Sequence, residues 1–363
     1  MIRRRTLLLA GTVCAPPGRL ALAMPSVGTA LPLRTLVFPR DHGAHPDLRT
    51  EWWYVTGHAR AVGTADREFG FQVTFFRTRV DATRSMQSAF AARQLIFAHA
   101  AVTDVLGGKL WHDQRIAREG FGAAGASVTD AAITLRDWSL VRRPADGAWV
   151  ARLPGGDLSL DLVFEPTQPL LLQGEQGLSR KGPEAAQASY YYSLPHLAAR
   201  GRITLKGRAF DVAGQAWLDH EWSESLMHPD AVGWDWIGMN LLDGGALTAF
   251  RLRDAAGRAL WSGGSFRTIA GALRNFGPNE VVFTPLRFWN SPVSQTRHPV
   301  EWAVETPAGR FTVRPVIDNQ ELDSRASTGA IYWEGLSALL DASGRMVGRG
   351  YLEMTGYARP LRL

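Results

Sequence analysis

Carboxylates, histidine and tryptophan crowd together in two stretches, HPDLRTEWWYVTGHAR at residues 45–60 and AWLDHEWSESLMHPDAVGWDWIGMN at residues 216–240. If the second stretch begins as a β-strand, Asp219 and Glu221 share one face and His220 lies on the other. Burial disfavours the charged form of a carboxyl, so an acid among aromatic rings can stay protonated and donate a proton. Asp219 is therefore a candidate general acid, with His220 as its orienting partner and Glu221 as a further candidate catalytic residue.

Tryptophan supplies the second half of this candidate chemistry. The faces of aromatic rings attract a developing positive charge, by roughly 0.5–2 kcal/mol for each well-placed ring. An acid beside an aromatic wall suits protonation of an alkene, followed by addition of water to the carbocation. The residues that could form such a wall, or bind an apolar substrate, are Trp52, Tyr54, Trp217, Trp222, Trp234 and Trp236. The alternative is that Asp219 and His220 form a satisfied hydrogen-bonded pair in the core.

Other acids that adjoin tryptophan have a simpler interpretation. Glu51, Glu301 and Glu334 each precede or follow a tryptophan in the chain. Because adjacent residues of a strand point to opposite faces, we expect the ring to fill the core while the carboxylate faces water.

A metal site is a competing interpretation of the histidines. The stretch DHGAHPD, residues 41–47, supplies four candidate ligands, namely Asp41, His42, His45 and Asp47. His220 and Glu221 could complete the set. The stretch contains Pro and Gly and is not a helix, so its two histidines need not converge. We therefore expect a turn before a strand and no bound metal.

Other catalytic patterns do not occur in the sequence. Ser223 and Ser225 lie near His220 but lack the Gly-x-Ser-x-Gly pattern of a nucleophile elbow. Neither a Gly-x-Gly-x-x-Gly nor a P-loop pattern is present, so we expect no nucleotide or other cofactor.

The first 23 residues predict an export signal, removed in the mature protein. A basic cluster of Arg3, Arg4 and Arg5 precedes an apolar segment and a small-residue cleavage pattern ending at Ala23. The Arg-Arg-Arg-Thr-Leu-Leu start is typical of a twin-arginine signal, with an ordinary secretory signal as the alternative. Removal would leave 36 basic and 34 acidic residues, a net charge of +2. A net charge this close to zero gives no electrostatic reason to expect nucleic-acid binding.

Alternation with a period of two residues dominates the rest of the chain and predicts many short strands. Cys14, within the predicted signal, is the only cysteine, so a mature chain would have no disulfide. With 37 Gly and 20 Pro, strands joined by glycine-rich turns indicate a β-barrel or sandwich. Residues 176–189 are polar and predict a long loop, a candidate lid over a pocket. The composition break at residues 223–233 is the candidate crossing between two domains.

Three long motifs resemble the AttH/CrtC-like family of lipocalin-like exported proteins, which includes predicted secreted hydrolases and relatives of the carotenoid 1,2-hydratases. They are residues 38–60, 214–245 and 331–357. The resemblance implies an all-β fold of two lipocalin-like antiparallel β-barrel domains packed together. We accordingly expect an N-terminal domain at residues 36–225 and a C-terminal domain at residues 226–363.

The same resemblance bears on the candidate acid. In the hydratase branch the pattern around the catalytic acid is Tyr-x-Asp-His-Asn-Trp, and the matching run here is Trp217 to Trp222. Asp219, His220 and Trp222 carry over, whereas the tyrosine is replaced by Trp217 and the asparagine by Glu221. The resemblance implies an apolar pocket near the junction of the two barrels, with Asp219 in its wall.

Two functions follow from these observations. The first is a periplasmic or secreted enzyme, hydratase-like or hydrolase-like, that acts on a hydrophobic small molecule, such as an isoprenoid, or on a lipid. The second is a carrier without catalysis, which would bind a hydrophobic ligand and serve a membrane transport system of the cell envelope.

Overall fold

The computed structural model describes residues 30–63 and 66–361, and nearly all of its regular structure is antiparallel β-strand. Two short 3-10 helices occupy Arg40–His42 and Asp81–Thr83. No helix among the described residues is long and apolar enough to cross a membrane. The predicted export signal, residues 1–23, lies outside the described residues. The strands form two packed sheets, so the predicted all-β fold of two antiparallel domains is confirmed.

The first sheet has 13 strands and curls into a nearly closed barrel. In chain order the strands are β1 (Thr50–Ala61), β2 (Glu68–Arg79), β3 (Gln94–Asp104), β4 (Lys109–Arg118), β5 (Ala124–Ala126), β6 (Ala132–Leu135), β7 (Trp138–Arg142), β8 (Trp149–Leu153), β9 (Leu158–Pro166), β10 (Leu171–Leu172), β11 (Leu178–Arg180), β12 (Ala188–Leu205) and β13 (Arg208–Ser225). The order across the sheet is β4-β3-β2-β1-β13-β12-β9-β8-β7-β6-β5, with β10 and β11 paired to β12. The two ends of this path come together because β3 and β4 contact β6.

The second sheet has 10 strands. They are β14 (Gly233–Leu241), β15 (Ala246–Arg253), β16 (Ala259–Arg267), β17 (Leu273–Phe276), β18 (Val282–Asn290), β19 (Arg297–Thr306), β20 (Gly309–Pro315), β21 (Glu321–Ser324), β22 (Ala330–Leu340) and β23 (Met346–Met354). The order is β17-β16-β15-β14-β23-β22-β20-β19-β18, with β21 paired to β22. The first sheet ends at Ser225 and the second begins at Gly233.

The pattern of buried residues along a strand shows which of its two faces is covered by other parts of the protein. Strand β9 alternates, with Leu158, Leu160, Leu162 and Phe164 inside the barrel and polar residues outside. Strands β1 and β13 are instead buried on both faces over much of their length. One face of each fills the barrel and the other packs against β14 and β23 of the second sheet, so neither face meets water.

A buried polar network closes one end of the barrel around the carboxylate of Glu51. Arg77 Nε donates to it at 2.8 Å, and the backbone N–H of His45 donates at 2.9 Å. His45 Nδ1 and His220 Nε2 lie 2.7 and 2.9 Å from Oε1 of the same carboxylate. Burial alone would raise the pKa of Glu51, but its hydrogen bonds with His220 and His45 outweigh burial and hold the pKa well below its usual range. The other imidazole nitrogen of His45 lies 3.0 Å from Asp41 Oδ1, which extends the network to the segment before β1.

Substitution of Glu51 by Gln tests how far the barrel depends on this network. The change keeps the shape but leaves the buried Arg77 guanidinium without a carboxylate, so we expect the free energy of unfolding to fall by about 3–5 kcal/mol. Urea unfolding followed by tryptophan fluorescence measures it. The control is Glu165→Gln, which breaks an exposed pair with Arg200 in the same sheet and should cost less than about 1 kcal/mol. Equal losses of unfolding free energy in both variants would contradict a stabilising role for the network around Glu51.

Candidate functional site

A cavity of about 340 Å³ lies between the two sheets. Its floor is the outer face of the first barrel. There the strand register aligns one row of side chains across five strands. The row is Glu221 of β13, Trp52 of β1, Phe76 of β2, Phe97 of β3 and Ile116 of β4. Glu221 is buried, whereas Ile116 is 36% exposed. The floor is therefore polar at its buried end and apolar toward the opening.

A matching row of the second sheet forms the roof. Phe250 of β15, Trp236 of β14, Glu353 of β23 and Glu334 of β22 are successive cross-strand neighbours, and all four line the cavity. Aromatic rings and carboxyl groups thus face each other from both sheets.

Asp219 lies in the floor beside this polar end and is 3% exposed. Ser193 Oγ donates to Oδ1 at 2.5 Å, Trp217 Nε1 donates to Oδ1 at 2.7 Å, and Tyr191 Oη donates to Oδ2 at 2.7 Å. Burial raises the pKa of Asp219 to about 7 despite these three hydrogen bonds, and the charge of Glu221 adds to the rise. A carboxyl that titrates near neutral pH can both give and take a proton, as acid–base catalysis requires.

Glu221 has a charged partner that the sequence did not reveal. Lys181 Nζ lies 3.0 Å from Glu221 Oε1, and Ser189 Oγ donates to the same oxygen at 2.5 Å. The ammonium also stands 4.3 Å from the ring centre of Phe250 and 4.7 Å from that of Tyr191. The polar end of the cavity therefore already holds one cation between a carboxylate and two aromatic faces.

The sequence did not predict Lys181 as a site residue, because the polar residues 176–189 predict a loop without strands. The structure corrects that expectation, since Leu178–Arg180 forms β11 and pairs with β12. Lys181 follows this strand and is buried with Gln187. Strand β11 has only three residues, too few for a two-residue alternation to be recognised in a polar stretch. The sequence therefore gave little indication of this strand.

Two carboxyl groups face Asp219 from the roof. Glu334 and Glu353 are direct neighbours across β22 and β23. Burial, with the charge of Glu353 added, raises the pKa of Glu334 well above its usual range. Burial also raises the pKa of Glu353 to about 7, and the charges of Asp219 and Glu221 contribute.

The expectation that acids beside tryptophan face water is wrong for two of the three. Glu334 lines the cavity and Glu51 lies in the barrel network, because both strands are covered on both faces. Glu301 fits better, since it pairs near the surface with Arg287 and Arg314. Tyr332 and Glu334 are two residues apart on β22 and therefore share one face of the strand. A tyrosine beside an acid on that face was the available sequence signal that Glu334 does not face water.

The structure places His220 away from Asp219. Strand alternation puts His220 inside the barrel, where its ring nitrogens lie 2.9 Å from Glu51 Oε1 and 3.1 Å from the backbone oxygen of Asp41. Its ring stacks on Trp53 with the centres 4.7 Å apart. The orienting partners of Asp219 are therefore Tyr191, Ser193 and Trp217, and not the expected histidine.

The six aromatic residues expected at the site divide into three groups. Trp52, Tyr54, Trp234 and Trp236 line the cavity. Trp217 lies behind the lining, donates to Asp219 and packs edge-on against Trp236. Trp222 is on the opposite face of β13, stacked on His45 with the ring centres 3.9 Å apart, so the structure removes it from the cavity wall.

The histidines considered as metal ligands converge only in part. The ligand atoms of His45, Glu51 and His220 lie within 4.8 Å of one another, whereas Glu221 points into the cavity. His42 Nδ1 lies 2.7 Å from Tyr192 Oη instead. A metal ion at Glu51 would have to displace Arg77 and the imidazole hydrogen bonds, so the donor set fits a satisfied polar network better than a metal centre.

Residues 29–357 match the sequence model of a family described as AttH-like. Among solved structures, a protein assigned as an AttH from Nitrosomonas europaea is 46% identical, with a TM-score of 0.84 over 90% of this chain and 99% of its own. Kievitone hydratase from Nectria haematococca has a TM-score of 0.69 at 13% identity, over 92% of this chain and 96% of its own. CghA, crystallised with Sch210972, has a TM-score of 0.53 at 13% identity, over 85% and 88%.

The two similarities at 13% identity establish a shared fold and nothing about a substrate. They agree with a lipocalin-like arrangement of both sheets. No curated protein sequence matches this chain.

The raised pKa of Asp219 predicts a pH-dependent stability difference between the wild type and Asp219→Asn. The native protein keeps a proton that the unfolded chain releases above its ordinary pKa of 3.8. The wild type should therefore lose stability relative to the variant as pH rises from 3.8 to about 7, and the difference should level off above that. Urea unfolding across this range measures it. Asp161→Asn, at an exposed position of β9, should show no such trend, and a pH-independent difference for Asp219→Asn would contradict the environment described.

Proposed function

This chain belongs to the AttH-like family, and on that premise we propose that it carries out hydratase-like acid–base chemistry on a hydrophobic, alkene-bearing substrate. The observation that carries the proposal is the state of Asp219, a buried carboxyl that titrates near pH 7 beside an aromatic wall. Its three donors are neutral groups, so they orient the carboxyl without forcing it to ionise.

The reaction begins with proton transfer from Asp219. The proton forms a new C–H bond with one alkene carbon as the π bond breaks, and the other carbon becomes a carbocation. Trp52 lines the floor of the cavity and Trp236 its roof, and their rings would attract the positive charge. Water then forms a C–O bond with the carbocation and releases a proton to the Asp219 carboxylate. One alkene and one water become one alcohol, and the acid is restored.

The apolar part of the cavity supports a hydrophobic substrate. Phe76 and Phe97 stack with their ring centres 4.8 Å apart, and Leu95 and Ile116 flank them toward the opening. Burying apolar substrate surface there contributes about 25 cal/mol per Å². The same surface would suit a carrier, which is the second candidate function.

Asp219→Asn separates the enzyme from the carrier. The variant keeps the side-chain shape but has no carboxyl proton, so addition of water to an acyclic isoprenoid alkene should slow by at least about 100-fold. The measurement is the gain of one water by mass spectrometry, with ¹⁸O-labelled water as tracer. Asp161→Asn is the control and should retain full activity.

The pH profile gives a second readout of the same experiment. Because the reactive form is the protonated acid, the rate should be highest below about pH 7 and fall above it. Binding of the alkene by wild type and Asp219→Asn alike, with no water added by either across a panel of alkenes, would reject the enzyme and leave the carrier.

We also propose that the protein acts after export to the periplasm or beyond. The proposal is supported by the arginine cluster and apolar segment of residues 1–23. Replacing Arg4 and Arg5 by Lys should leave uncleaved precursor in the cytoplasm if the twin-arginine route is used. Immunoblots of fractionated cells measure this, and unchanged export of the double variant would favour the ordinary secretory route.

A further inference from the structure

The acids of the cavity outnumber its cations. Glu221 pairs with Lys181, and Glu51 is neutralised in the barrel network. Asp219, Glu334 and Glu353 make no ion pair with any Lys, Arg or His of the described residues. A buried carboxylate without a counter-charge is costly, so the absence of a cation favours the uncharged form of these groups.

Three buried polar atoms of the cavity lining make no well-formed hydrogen bond within residues 30–63 and 66–361, namely Oε1 of Glu334, Oη of Tyr54 and Oε1 of Gln72. The Tyr54 hydroxyl adjoins the Glu334 carboxyl, so these two groups can pair with each other. Gln72 Nε2 donates to Tyr332 on the strand of Glu334, but Gln72 Oε1 accepts from no described group. Glu334 is 2% exposed and Tyr54 is 6% exposed. Buried polar atoms are nearly always satisfied in folded proteins, so the unpaired Gln72 oxygen points to a hydrogen-bond donor that enters the cavity from outside the chain.

We propose that Glu334 and Glu353 form a cation subsite that binds the positively charged group of a hydrophobic ligand. The two carboxyls lie side by side on the roof, and Trp236 and Tyr54 line the cavity beside them. Carboxylates combined with aromatic faces are the groups that recognise organic ammonium ions. Lys181 occupies the same kind of environment a few side chains away, between Glu221, Tyr191 and Phe250.

The rest of the ligand would lie along the apolar floor. Neighbouring strands are about 4.8 Å apart, so the row from Trp52 to Ile116 spans roughly 14 Å toward the opening. An alkyl chain fits this row while its charged end reaches the roof carboxyls. The inference rests on the proposed function for the site of binding, and the same two carboxyls would stabilise the carbocation formed when Asp219 protonates an alkene.

Isothermal titration of the full-length protein with octylammonium and with 1-octanol tests the subsite. The two probes share one chain and differ in charge, so the ratio of their dissociation constants isolates recognition of the cation. The wild type should bind octylammonium at least about tenfold more tightly than 1-octanol. The Glu334→Gln/Glu353→Gln double variant should bring the two affinities to within about twofold by weakening only the ammonium complex.

Glu305→Gln is the matched control, because it removes an exposed carboxyl of the same sheet that pairs with Arg310. It should keep the wild-type preference. If the double variant does not fold, Glu353→Gln alone replaces it, because Glu353 is the less buried of the two carboxyls, and this variant should reduce the preference for octylammonium.

Equal binding of the two probes by the wild type, binding of neither, or an unchanged preference in the double variant would overturn the subsite. The titration needs no turnover, so it can fail independently of the hydratase proposal. A protein that prefers octylammonium but adds no water to any alkene would refute the proposed reaction and leave the cation subsite standing.

Discussion

The antiparallel pairing of β1 with β13 is the constraint on which both polar clusters depend. Its register sets Trp53 opposite His220 and Tyr54 opposite Asp219. The first pair points into the barrel, and the second points toward the cavity. A slip of one residue would exchange the faces, placing the acid in the barrel core and the imidazole between the sheets. The position of the candidate acid is thus decided by strand register.

The hydrogen-bond partners of two buried carboxyls then shift their pKa values in opposite directions. Glu51 and Asp219 are both buried, and burial alone would raise the pKa of each. Glu51 contacts a guanidinium and two imidazoles, which favour its ionised form. Asp219 contacts a hydroxyl, a phenol and an indole, which cannot supply a positive charge. One strand pair therefore holds an ionised carboxylate on one face and a carboxyl with a raised pKa on the other.

Local sequence patterns predict what lies along one strand but not what lies across the cavity. Alternation in residues 216–222 puts Asp219 and His220 on opposite faces, which is why the expected pairing of the two was wrong, and crowded aromatic residues marked the stretch as unusual. Glu334 and Glu353 could not be assigned in this way, because they approach Asp219 only after β22 and β23, which lie more than 100 residues later in the chain, dock onto the first sheet. The network around Glu51 was equally hidden, since Arg77 belongs to another strand and carries no local signal.

The docking of the two sheets also creates the acidity of the site. The barrel interior is filled by large side chains, among them Trp53, Trp149 and Trp222. The cavity lies instead where the outer face of the barrel meets the second sheet. If the sheets were apart, water would reach Asp219 and Glu353, and the desolvation that dominates both raised pKa values would be lost. The raised pKa values of Asp219 and Glu353 therefore depend on the packing of the two sheets, and neither sheet alone would bury these carboxyls.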